Sequence, residues 1–169
     1  MDQRLCVLNA GSSSLKFAVY SVVDGAPRHV LSGEVERIGG EGRLRVTTAQ
    51  GRPVHDRSVT AKDHAAALSM LALLPDGPFE KEGLIGFGHR VVHGGPDMDA
   101  PVLVDAMTLS HIEALEPLAP LHNPPAVAVL KALARLFPLL PHVACFDTAF
   151  HRGHPPIADR FAIPDALYR

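Results

Sequence analysis

Four short segments of this sequence concentrate side chains that can handle an anion. In Asn9-Ala10-Gly11-Ser12-Ser13-Ser14-Leu15-Lys16, small residues let backbone N–H groups approach a charge, three hydroxyls add donors and Lys16 supplies a cation. Such a stretch suits a phosphate cradle between two strands. It is not a Walker A loop, because the G-x-x-x-x-G-K-[ST] spacing is absent, and by itself it also reads as a simple turn. In Gly88-His89-Arg90-Val91-Val92-His93-Gly94-Gly95, strand alternation puts Arg90 and Val92 on one face and His89, Val91 and His93 on the other. An arginine at a strand end beside glycines suits two-point recognition of a carboxylate or phosphate, or else an ion pair within the fold.

The third segment, Leu118 to Pro124, precedes a helix N-terminus, where anions are favoured. His122 there could donate to a transferring phosphoryl group, or only pack and cap locally. In the fourth, Phe146-Asp147-Thr148-Ala149-Phe150-His151, an aspartate stands at the end of a buried strand, a place for orienting a metal ion or its water, acting as a base, or capping a turn. Together the four segments hold an Arg, a Lys, a His, an Asp and a hydroxyl loop, the equipment of phosphoryl transfer. A metal site on His89 and His93 is disfavoured. On a strand they stand about 13 Å apart, too far to share one ion without a bend.

These segments need elements to position them. Leu5–Leu8, Leu15–Val23, His29–Ile38 and Arg43–Thr48 read as strands, with a hairpin turn at Asp24-Gly25, so the chain opens as a β-meander. Asp63–Leu74 reads as a helix capped by Asp63 and closed by Pro75. Leu84–His93 is a strand. Ser110 and Glu113 form the capping box of a short helix ending near Pro117, and Asn123 is the N-cap of a helix with Pro124 in its first turn. Val127, Leu130, Ala134 and Phe137 line one face of that helix. His142–Phe146 is the last strand, and Arg152–Arg169 is Pro-rich with little periodicity. The order predicts an α/β fold with a mixed sheet, in which Asn9, the residues after Val92, and Asp147 meet at the carboxyl ends of strands.

Composition narrows the function classes. The chain has 169 residues, with 47% apolar and 20% charged, enough for one domain with a core. Sixteen Lys and Arg against eighteen Asp and Glu give a net charge of −2, so nothing favours nucleic acid or an anionic membrane as partner. No apolar run is long enough to span a bilayer, and the N-terminus lacks the pattern of a signal peptide. Cys6 and Cys145 sit in apolar strands and are expected to be buried, reduced thiols, which together with the missing signal points to the cytoplasm; a disulfide between them is the lesser alternative.

Taken in order, Val7–Lys16, Gly88–Gly95, Leu118–Pro124 and Phe146–His151 resemble the signature segments of the acetate kinase family, in register across almost the whole chain. The resemblance implies an actin-like, sugar-kinase-like (ribonuclease H-like) ATPase domain over residues 1–150, with 151–169 beginning the connection to a second domain. It implies Mg²⁺-dependent phosphoryl transfer from ATP to acetate, giving acetyl phosphate and ADP, by a homodimeric full-length protein. Asn9, Ser12, Ser14 and Lys16 would line the phosphate and metal side of the cleft. Arg90 would bind the acetate carboxylate, Val92 and Leu121 would flank its methyl group, His122 would contact the phosphoryl group, and Asp147, with Asn9, would place Mg²⁺ directly or through water. Family members are more than twice as long, so the 169-residue chain is expected to be an incomplete N-terminal half without useful activity of its own. It is also expected to expose an apolar patch where a C-terminal helix would pack. Propionate or butyrate kinase, a non-catalytic acyl-phosphate-binding module and, more weakly, a metal-dependent hydrolase are the alternatives.

Overall fold

The computed structural model describes residues 3–80, 82–150, 152–159 and 161–167. Alternating apolar residues build the first half. In β1 (Gln3–Ala10) and β2 (Ser14–Val23), Cys6, Leu8, Leu15, Phe17 and Val19 all turn to one buried face. Asp24 and Gly25 both have positive φ, 52° and 75°, as a type I′ hairpin turn requires, and they return the chain into β3 (Ala26–Glu36). Then follow β4 (Glu41–Thr48) and β5 (Pro53–Thr60). The fifth strand was not expected from the sequence. It is an edge strand, mostly exposed, begins with proline and lacks an apolar alternation, so its signal is weak for the same reason that it can lie at the edge.

After the meander come α1 (His64–Ala72), β6 (Leu84–Val91), a short β7 (Val102–Leu103) and α2 (Ala106–Ala114). The chain continues with α3 (Asn123–Leu136), β8 (His142–Phe146), α4 (Asp147–Phe150) and α5 (Pro156–Asp159), with 3-10 turns at Glu116–Leu118 and Asp165–Leu167. The eight strands form one mixed sheet in the order β5-β4-β3-β2-β1-β6-β8-β7. Pairing is antiparallel from β5 to β1, parallel from β1 through β6 to β8, and antiparallel again at β7. The mixed α/β sheet expected from the sequence is therefore observed.

Helices α1 and α3 pack together over one face of the sheet. Leu68 and Leu71 of α1, and Val129 and Leu133 of α3, are fully buried with strand residues such as Leu15, Val35, Leu44 and Phe87, while Leu130 is buried in a second cluster with Val91, Ala144 and Phe146. Each such side chain contributes roughly 1.5–3 kcal/mol through burial. Asp63 caps α1 as expected, accepting a hydrogen bond from the Ala66 amide at 2.8 Å.

Three expectations fail. Asp105, not Ser110, caps α2, accepting from the Thr108 amide at 2.7 Å; Ser110 lies inside the helix, so the capping-box pattern with Glu113 is coincidental. Asn123 is not an N-cap. His122 holds that position without a side-chain capping bond, and Asn123 enters the helix with its amide turned elsewhere. Cys145 is exposed rather than buried. Strand pairing puts it opposite Arg90, whereas Cys6 pairs with Phe87 on the covered face; both thiols are free. Burial raises the Cys6 thiol far above its ordinary pKa. Among the described residues, no helix is long and apolar enough to cross a membrane.

Candidate functional site

Because β1, β6 and β8 are parallel neighbours, their carboxyl ends lie side by side, and the register aligns Asn9 with Arg90 and Arg90 with Cys145. Asp147 follows β8 directly and opens α4. The Arg90 guanidinium closes this row. Its Nε donates to both oxygens of Asp147, at 2.9 and 3.1 Å, and its Nη2 donates to Oδ2 at 2.6 Å. Nη1 donates to Asn9 Oδ1 at 3.2 Å. Three of the five guanidinium N–H groups are thus engaged, the side chain remains 51% exposed, and two donors are left for a ligand. The hydrogen bonds to Asp147, before its charge, hold the Arg90 pKa above the ordinary value. Of the two readings of Arg90 open at the sequence level, the ion pair within the fold is the one observed.

Alternation leaves the opposite sheet face bare. Val7 is 39% exposed and, with Ala18, Gly88 and Cys145, floors an open groove of about 380 Å³ whose polar rim is Asn9, Lys16 and Arg90. Lys16 sits opposite Asn9 in the β1–β2 pairing, with Nζ 3.8 Å from Glu34 Oε1 and most of its side chain in solvent.

The Ser-rich stretch is the turn between β1 and β2, closed by the Gly11 amide donating to the Ser14 carbonyl at 2.9 Å. Ser12 is exposed and Ser14 half-buried. Behind the turn, His64, the first residue of α1, is buried and donates from Nε2 to the Gly11 carbonyl at 2.8 Å. Sequence reasoning missed this brace, since nothing local to residue 64 points at residue 11.

Strand β6 stops at Val91, two residues short of the expected end, so Val92 and His93 begin the following loop. Val92 is half-buried; Leu121 (71% exposed) and His122 lie exposed ahead of α3. No described hydrogen bond or ion pair joins Lys16, Leu121 or His122 to the Arg90–Asp147 pair. Asn9, Arg90 and Asp147 are brought together directly; Lys16 is adjacent by strand register; Ser14 begins β2, and Ser12, Val92, Leu121 and His122 lie outside the strands, with no described bond to that row. His151, the last residue of the fourth segment, lies outside the described residues.

His89 and His93 do not form a metal site. His89 is 2% exposed and donates from Nε2 to His142 Nδ1 at 3.1 Å, while His93 Nδ1 accepts from the Gly95 amide. His142 Nε2 donates to the Phe137 carbonyl at 3.4 Å, so a neutral His142 has Nδ1 free to accept from His89, and His89 Nδ1 is left without a partner. Burial, and then the neighbouring His142, push the His89 pKa down to about 3. Among the described residues no group of three or more His, Cys, Asp or Glu could hold a metal. Asn9 and Asp147 do offer hard oxygen atoms, and Mg²⁺ commonly takes one or two carboxylates and completes its shell with water and phosphate oxygens, so the donor set fits that ion.

A family model described as the acetokinase family matches residues 4–169. The acetate kinase of Rhizobium meliloti is 44% identical over 169 residues, covering 97% of this chain and 42% of that protein. That of Nitrobacter hamburgensis is 43% identical, again over 42% of its length. Among solved structures, Porphyromonas gingivalis acetate kinase superposes with a TM-score of 0.84 at 29% identity, and a propionate kinase from Francisella tularensis with 0.82 at 32%; each match covers 98% of this chain and 42% of the other. The chain therefore spans about two fifths of the length of the relatives it matches.

Proposed function

Because this chain belongs to the acetokinase family, we propose that it forms the acyl-acceptor side of a cleft where the terminal phosphoryl group of ATP passes to the carboxylate of acetate, giving acetyl phosphate and ADP. Its mixed sheet with flanking helices is the actin-like domain of acetate and propionate kinases. The observation that carries the reading is the hydrogen-bonded row Asn9–Arg90–Asp147 across the carboxyl ends of three adjacent strands.

The chemistry asks little of the protein beyond alignment and charge. Acetate is ionised at neutral pH and needs no general base. Two anions must meet, so cations do most of the stabilising. Arg90 takes the acetate carboxylate with its two uncommitted N–H donors, held in plane by Asp147 and Asn9. Val92 and Leu121 flank the methyl group, and His122 donates to the phosphoryl oxygens. Ser12, Ser14 and Lys16 receive the phosphate chain. Asn9 and Asp147 would hold Mg²⁺, whose contribution when bound is to neutralise phosphate charge. We read residues 1–150 as the domain proper and 151–169 as a connection, on the strength of exposed Ile157, Phe161 and Leu167.

The test is acetyl phosphate formation by the full gene product, with acetate and propionate compared by kcat/KM. Propionate is the second acceptor to try because a propionate kinase superposes almost as well as an acetate kinase, and one methylene discriminates by only about 1–3 kcal/mol. No acyl phosphate from acetate, propionate or butyrate would remove the proposal and leave a binding module.

A further inference from the structure

Asn123 was expected to cap α3, and the fold gives it a different task. It is wholly buried, and both ends of its amide reach the backbone of one residue 30 positions away. Its Oδ1 accepts from the His93 amide at 3.2 Å, and its Nδ2 donates to the His93 carbonyl at 3.0 Å. This copies the two-bond exchange of a β-ladder with a side chain in place of a strand. The next residue is held from another direction, the Gly94 amide donating to Thr148 Oγ1 at 3.0 Å.

The consequence is in what lies next to each anchor. Val92 precedes His93, Leu121 and His122 precede Asn123, and Asp147 precedes Thr148. Arg90 stands three residues before His93 on β6. Two latches on the dipeptide His93-Gly94 thus fasten the β6 end, the α3 entrance and the α4 entrance to one point. His122 and Leu121 have no direct hydrogen bond to Arg90, and helix α3 carries no side-chain cap that would fix its entrance otherwise.

We propose that Asn123 is a positioning residue for phosphoryl transfer: through His93 it sets where Val92, Leu121 and His122 stand relative to Arg90, without touching substrate. The inference rests on the roles given above to Arg90, Val92 and His122. Thr148 does the same for Asp147 from the opposite side.

A role in the fold alone and a role in positioning separate in the kinetics. Loss of folded protein lowers kcat and leaves the KM for acetate unchanged. A displaced acceptor pocket raises the KM for acetate as well. For Asn123→Ala in the full gene product, we expect the KM for acetate to rise about tenfold or more and kcat/KM to fall about 10²-fold, as for a side chain misplaced by ~1 Å, with the KM for ATP within about twofold. Val46→Ala, in the meander core and losing comparable melting temperature, is the control, with both KM values unchanged. If Asn123→Ala does not fold, Asn123→Asp, which keeps the acceptor for the His93 amide and when ionised cannot donate to the His93 carbonyl, decides, with the same pattern at smaller size. A KM for acetate that stays at the wild-type value in the folded variants would overturn the proposal. Wild-type protein that forms no acyl phosphate would instead strike the parent reading, and this inference would fall with it.

Discussion

Two arginine–aspartate pairs in this sheet look alike and stand in different company. Arg43 and Asp56 join β4 and β5, with Nε and Nη2 donating to the two carboxylate oxygens at 2.6 and 2.9 Å. Arg90 and Asp147 join β6 to the start of α4 with nearly the same fork. Each arginine is held above its ordinary pKa first by hydrogen bonds to its aspartate. The meander pair bridges mid-strand positions of an antiparallel edge, beside a second ion pair between Arg45 and Glu36. The other closes a row at the ends of three parallel strands, with Asn9 as a third partner and an apolar groove beneath it. Pair geometry therefore carries no functional information; topology does, because only parallel neighbours bring chain ends from distant sequence to one edge.

The contrast is broken most sharply by removing each arginine. Arg90→Ala should lower kcat/KM by at least about 10²-fold, as loss of one charge-stabilising donor does elsewhere. A change under about threefold would make Arg90 the equal of Arg43. A smaller blow to the same half of the sheet comes from Gly94→Ala. A Cβ there would sit 2.7 Å from Phe146 Cγ and 3.1 Å from Met98 Cβ, so overpacking should cost about 1–3 kcal/mol in denaturant unfolding. An unchanged unfolding midpoint would show that the loop yields freely.

Acid should also find the parallel half first. His89 and His142 are buried there, both with pKa values lowered mainly by burial, whereas His29 and His55 of the meander have no such burial. His89 stays neutral in the fold down to about pH 3, while the unfolded chain takes up its proton near 6.5. The unfolded state then binds more protons, and stability falls as pH drops from about 6.5 toward 3, with ~2 kcal/mol lost by pH 5 from His89 alone. His142 adds in the same direction. Chemical denaturation between pH 7 and 4 measures the slope, and His89→Phe should flatten it; an identical slope in the variant would place the acid sensitivity elsewhere. The smallest effect expected is Arg43→Ala, with activity within about twofold and a melting shift under about 3 °C, as for an exposed ion pair. A larger loss of activity would erase the distinction between the two pairs.

Much was legible before any coordinates. The alternation in β1, β2 and β4, the Asp24-Gly25 hairpin, the Asp63 cap and the segments holding Asn9, Arg90 and Asp147 depend on residues within a few positions of each other, so local chemistry was enough. Helix α2 and residue 123 went wrong for one shared reason. Ser110 with Glu113, and Asn123 before two prolines, both carry valid capping patterns, yet a side chain bonds to whatever the fold brings nearest. For Asn123 that was a peptide 30 residues away, and for α2 a better-placed Asp105.

The sequence by itself determined which side chains could serve an anion and which strand ends would carry them. Only the tertiary structure decided that Arg90 lies between Asn9 and Asp147, that Cys145 faces out beside it, and that His93-Gly94 is the knot to which α3 and α4 are tied. The physical reason is range: alternation and capping act over a few residues, whereas a strand's neighbours and a buried amide's partner are chosen by packing across the whole sheet.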